Sequence, residues 1–178
     1  MKTEFKAKFL QHINQKNREE GFTLIELLVV VIIIGILAAV ALPSLLSQTN
    51  KAKQVEARNN IGAMNRAQQA VFLERNGFAT DMANLGVGIQ TQTTNYEYSM
   101  VAAGGTLPSS VNNQAKTRVN SLKPYAGLVW SVTDPTTSQA TTRAILCEEA
   151  DPKPPNTAPT VAAAPGVGAT CGAMKTLE

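Results

Sequence analysis

Between Phe22 and Leu42 the chain carries one formal charge, Glu26. Wound as a helix at ~1.5 Å per residue, these roughly 21 residues reach about 31 Å, enough to cross a hydrocarbon core of ~30 Å. The apolar run continues to about Leu46. Before it lie Lys2, Lys6, Lys8, Lys16 and Arg18, which favour a cytoplasmic N-terminal side. Val29 to Ile34 is β-branched throughout, a poor choice for a helix in water. In lipid the backbone must satisfy its own hydrogen bonds, so a helix is still expected. Its weak points are Gly35 and Pro43; the proline removes one N–H and crowds the carbonyl of Ala39. Glu26 is the oddity. A carboxylate in a membrane helix costs about 2.5–3.5 kcal/mol on insertion scales, and this one sits one helical turn from Phe22, on the same face.

The composition narrows the function. The chain has 178 residues, a net charge of +3 and a single histidine, His12. Residues 1–21 hold five basic and three acidic side chains, so the remainder is nearly neutral. The pI of about 9.0 is therefore partly a topology signal and not the mark of a nucleic-acid binder. Beyond His12 there is no histidine to act as general base or zinc ligand. No phosphate-binding glycine loop, HExxH, CxxC or GxSxG pattern occurs, so neither an enzyme nor a cofactor is expected.

From Ser44 to about Arg75 the pattern is amphipathic. Val55, Ala57, Ile61, Met64, Ala67, Gln68, Val71 and Phe72 mark one face, with Lys51, Lys53, Arg58, Asn65, Arg66 and Arg75 largely elsewhere. Asn76-Gly77 supplies a stop, and residues 78–94 read as a loop. Strands are expected over Asn95–Val101, Leu128–Thr133 and Arg143–Glu148, the last two joined by a turn at Asp134-Pro135. Their aromatic side chains are expected to pack on the long helix. The stretch between the first two strands, with Lys116, Arg118 and Lys123, reads as a solvated loop and a weak DNA-binding signal. After Cys147 the chain becomes Pro-, Ala- and Gly-rich. Cys147 and Cys171, an even pair in an exported region, read as a disulfide worth on the order of 3 kcal/mol.

A basic leader ending in Gly21, followed by Phe22-Thr23-Leu24-Ile25-Glu26-Leu27-Leu28, resembles the prepilin signature of type IV pilins. Gly35, Pro43 and the helix beyond extend the likeness. Length and the C-terminal cysteine pair make the chain similar to the major pilins of cyanobacteria. The resemblance implies an α+β pilin fold: a long N-terminal helix, its hydrophobic half protruding, packed on a small antiparallel sheet with a disulfide-bounded C-terminal loop. The implied organisation is a leader over 1–21, a membrane and filament-core half of the helix over 22–46, an amphipathic half over 47–76 and a head over 77–178 with three to four strands. It further implies cleavage after Gly21 by a prepilin peptidase, N-methylation of Phe22, and pairing of Glu26 with the Phe22 ammonium of a neighbouring subunit. Partners would be sister subunits in a helical filament, the inner-membrane assembly machinery and the membrane itself before assembly. The segment between Gly35 and Pro43 would be able to lose helicity in the filament. Three alternatives stand beside this reading: a minor pilin, a type II secretion pseudopilin, and a membrane-anchored envelope binding module. Conventional signal cleavage near Ala39-Val40-Ala41 fits less well, because the apolar run exceeds a signal peptide's hydrophobic region.

Overall fold

The first helix, α1, runs from Leu24 to Arg75 without a break, through Gly35 and Pro43. It belongs to a computed structural model that describes residues 21–103, 110–159 and 170–177; the leader as far as Glu20 lies outside the described residues. The chain divides into two units between Leu46 and Ser47. In the first, every residue of α1 is exposed, and Glu26 is the one charged residue of that stretch. By length and composition this helix is able to cross a membrane.

The second unit is built on the remainder of α1. The helix buries Ala57, Ile61, Met64, Asn65, Gln68, Val71 and Phe72, a helical spacing that aligns them on one face. Asn76 ends it in the left-handed region at φ 53, donating its N–H to the Phe72 carbonyl at 2.8 Å. Asparagine tolerates this conformation better than most residues. One turn of helix, α2 (Met82–Leu85), interrupts the loop that follows; Asp81 caps it and Gly86, at φ 68, closes it. Gln68 clamps the same loop, accepting from Ala79 N and donating to Ala79 O, both at 2.9 Å.

Five antiparallel strands follow in simple order: β1 (Tyr96–Ala103), β2 (Ser110–Thr117), β3 (Tyr125–Thr133), β4 (Ala140–Glu148) and β5 (Lys175–Leu177). The expected β3–β4 hairpin is present. Asp134 shapes its turn by accepting the N–H groups of Thr136 and Thr137, and these backbone donors hold its carboxyl below the usual range. Tyr96, Tyr98 and Tyr125 join Ala57, Ile61 and Met64 in the main core.

Four expectations need correction. The sheet has five strands, not three to four, because the stretch read as a solvated loop contains β2, a central strand. Its Ser-Val-Asn-Asn-Gln sequence hides the strand: Asn113 is buried, yet its amide donates to Asn65 Oδ1 at 2.8 Å. Asn65, placed by pattern on the polar face, is buried and also donates to the Ile145 carbonyl. Val55, placed on the packing face, is 52% exposed. Trp130 does not pack on α1. A Cβ at Gly127 would meet Asn65 and Ile61, so the odd residues of β3 face the helix and Leu128 and Trp130 face away. Both faces of β3 are therefore buried.

Candidate assembly site

The residues singled out by sequence lie at the start of α1. Gly21 and Phe22 precede the helix, outside regular secondary structure, and Phe22 is 84% exposed. Thr23 is the N-cap. Its hydroxyl accepts the Glu26 N–H at 3.2 Å, and Glu26 Oε2 accepts both the Thr23 N–H and the Thr23 hydroxyl at 2.8 Å. This is a reciprocal capping box. It satisfies otherwise orphaned N–H groups and sets a negative charge at the positive end of the helix. Sequence reasoning missed Thr23, although the Thr-x-x-Glu spacing was there to be read. The expected helical turn from Phe22 to Glu26 is not formed. The helix begins two residues after Phe22, and among the described residues Glu26 is bonded to Thr23 and not to Phe22.

The carboxylate stands among exposed apolar side chains, with Leu24 and Ile25 beside it and Leu27 and Leu28 following. Glu26 is itself exposed. An acid in such surroundings favours a partner that supplies positive charge wherever water is excluded. Within the chain Thr23 offers hydrogen-bond donors but no cation.

The weak points in the helix have different local characters. A Cβ at Gly35 would meet nothing within 4 Å, so no contact among the described residues requires glycine there. Pro43 lies within the continuous helix, where its ring cannot donate the usual bond. The cysteines are joined: Cys147 and Cys171 form a disulfide across a sequence separation of 24. With Ala126 and Met174 they make a small buried cluster, which ties β5 beside β4. No group of three His, Cys, Asp or Glu side chains among the described residues is placed to hold a metal ion. Of the three cations weighed for DNA, Lys123 pairs with Glu148 at 3.0 Å, and Arg118 donates to the Thr93 carbonyl.

Comparison with known proteins bears on both ends of this arrangement. Residues 54–172 match the family described as type IV pilin-like G and H. Residues 16–42 match the prokaryotic N-terminal methylation motif, which spans Gly21, Phe22 and Glu26. The chain is 42% identical over 97 residues to the type IV major pilin protein PilA of Myxococcus xanthus, covering 54% of this chain and 42% of that protein. It is 35% identical over 91 residues to the type II secretion system core protein G of Aeromonas hydrophila, covering 51% and 64%. It is 34% identical over 85 residues to the type IV wide pilus major component PilA4 of Thermus thermophilus, covering 47% and 65%. These matches span about half of this chain and less than two thirds of each relative. No solved structure matches.

Proposed function

This chain belongs to the type IV pilin-like G and H family, and from that membership we propose that it is a structural subunit of a type IV pilus, a major pilin. A prepilin peptidase cuts after Gly21, and the new Phe22 amine is methylated. The subunit waits in the inner membrane on the Phe22–Leu42 segment. Assembly machinery supplied by other proteins draws it into an open helical polymer with its sister subunits, and the finished filament is extracellular. It serves adhesion, surface motility or DNA uptake.

The observation that carries this reading is the placement of Glu26. Among the described residues it is an acid at the start of an apolar helix with no cation paired to it, four residues from an N-terminus that cleavage would create. In the uncut chain Phe22 contributes only an amide N–H. After the cut it contributes an ammonium, and pairing with Glu26 of a neighbour removes both charges from an apolar surround together. Apolar helices then exchange lipid for one another, and the ion pair sets their stagger. The unfilled space at Gly35 fits a role against a neighbouring helix, and Gly35 and Pro43 together bracket the segment best able to unwind in the polymer.

N-terminal sequencing of sheared surface filaments tests the proposal: methyl-Phe22 is expected. Recovery of chains that begin at Met1 would remove the peptidase and leave a membrane-anchored binding module. The similarity to core protein G of Aeromonas hydrophila favours one second reading, a pseudopilin. The two separate by copy number, since a major pilin dominates the sheared material and a pseudopilin or minor pilin does not.

A further inference from the structure

After Glu26 the next charged residues along α1 are Lys51 and Lys53. Both are exposed. The acid best spaced to neutralise Lys53 is Glu56, three residues on. Glu56 is engaged elsewhere: its Oε1 accepts the Thr93 hydroxyl at 2.6 Å and its Oε2 accepts the Asn95 amide at 3.0 Å. The ion pairs are Lys123–Glu148 and Lys153–Glu149, so among the described residues neither Lys51 nor Lys53 is paired with a carboxylate. Asn50, next to Lys51, accepts a hydrogen bond from Ser121. Ser121 thus lies at the same level along the helix, while Arg118 is held elsewhere, donating to the carbonyl of Thr93, whose hydroxyl is bonded to Glu56.

The spacing from the apolar run gives these cations a place. Lys51 follows Leu46 by five helical residues, a rise of about 7.5 Å. The headgroup region of a bilayer extends roughly 5–7 Å beyond the hydrocarbon on each side, and a lysine stem lets its ammonium bend back toward that layer. We propose that Lys51 and Lys53 form a basic collar that binds anionic phospholipid headgroups on the far side of the membrane while the subunit is unassembled. This rests on the membrane-anchored reading above. The collar also sets the depth of the anchor: drawing the helix inward would strip the ammonium groups of water, and moving it outward would break their phosphate contacts. Leaving the bilayer for the filament then requires giving up these headgroups, which makes extraction sensitive to lipid charge.

The test uses the full chain reconstituted in bilayers of phosphatidylcholine with phosphatidylglycerol. Spin-labelled versions of each lipid report, by electron spin resonance, which one the protein restricts. The basic leader is common to wild type and to the Lys51→Gln/Lys53→Gln variant, so its contribution cancels in the comparison. Wild type is expected to prefer phosphatidylglycerol. The variant should lose that preference severalfold, on the order of fivefold for each charge that reaches the headgroup plane, and high salt should erase the difference. Equal selectivity in the two proteins would overturn the collar while leaving the anchor intact. Absence of any restricted lipid would instead remove the membrane anchor and the collar with it.

Discussion

A capping-box carboxylate and an ion-pairing carboxylate make different chemical demands on Glu26. The box needs an acceptor at the third helical position, and glutamine supplies one. The pair needs a negative charge. Glu26→Gln therefore keeps the start of α1 while removing the charge, whereas Thr23→Ala does the reverse. Loss of the Thr23 cap is expected to cost about 1 kcal/mol of local helix stability and to speed amide exchange over Leu24–Leu27. It should leave filament yield close to wild type. Glu26→Gln should exchange normally in the first turn and fail to assemble. Filaments in normal quantity from Glu26→Gln would mean that the acid serves the helix alone. The apolar run and its solitary acid were legible in the sequence because a single charge in such a stretch stands out. The partner of that acid within the chain was not, because the apolar run begins at Phe22 and does not mark a helix start at Leu24, which is what makes Thr23 the cap.

At the level of elements, the contact between α1 and the sheet is set by a missing side chain. A Cβ on Gly127 would overlap Asn65 Oδ1 and lie 2.6 Å from Ile61 Cγ2, so the helix rests directly against the backbone of β3. Asn65 uses that closeness to reach the Ile145 carbonyl and the Asn113 amide, bonding α1 to β2 and β4. Gly127→Ala should destabilise the second unit by about 1–3 kcal/mol through overpacking. Asn65→Ala should cost about 1–3 kcal/mol by leaving Asn113 without its acceptor. The double variant should cost less than the sum, because Asn65 is one of the two obstacles to the new methyl. Urea midpoints check this, and strictly additive losses would show that the two residues do not meet. This contact also explains which elements escaped sequence reading. β1, β3 and β4 announced themselves by aromatic and aliphatic alternation. β2 occupies an equally buried place with Asn112, Asn113 and Gln114, and polar residues there signal a loop unless their partners on other elements are known. β5 is three residues long and is held beside β4 by the disulfide, so no local pattern marks it.

At the scale of the whole molecule, stability is divided as unevenly as composition. The apolar half of α1 contributes no buried residue, and the described buried core lies entirely in the Ser47–Glu178 unit. A fragment beginning at Ser47 therefore loses no core contact and is expected to fold without detergent. Its three tyrosines, Tyr96, Tyr98 and Tyr125, report on that core. Burial is the main force raising each phenol above its ordinary value of 10.0, with nearby charges, Glu56 for Tyr98 and Glu148 for Tyr125, adding to it. The native state then holds protons that the unfolded chain releases above about pH 10, so this contribution is fully present below that pH and falls as pH rises further. The fragment should show no phenolate absorbance at pH 10.5 until denaturant is added, and its urea midpoint should be level from pH 8 to about 9.5 and drop beyond. Phenolate appearing at pH 10 in the native fragment would show that the tyrosine core needs the first half of α1 to form, and that the two units do not fold separately.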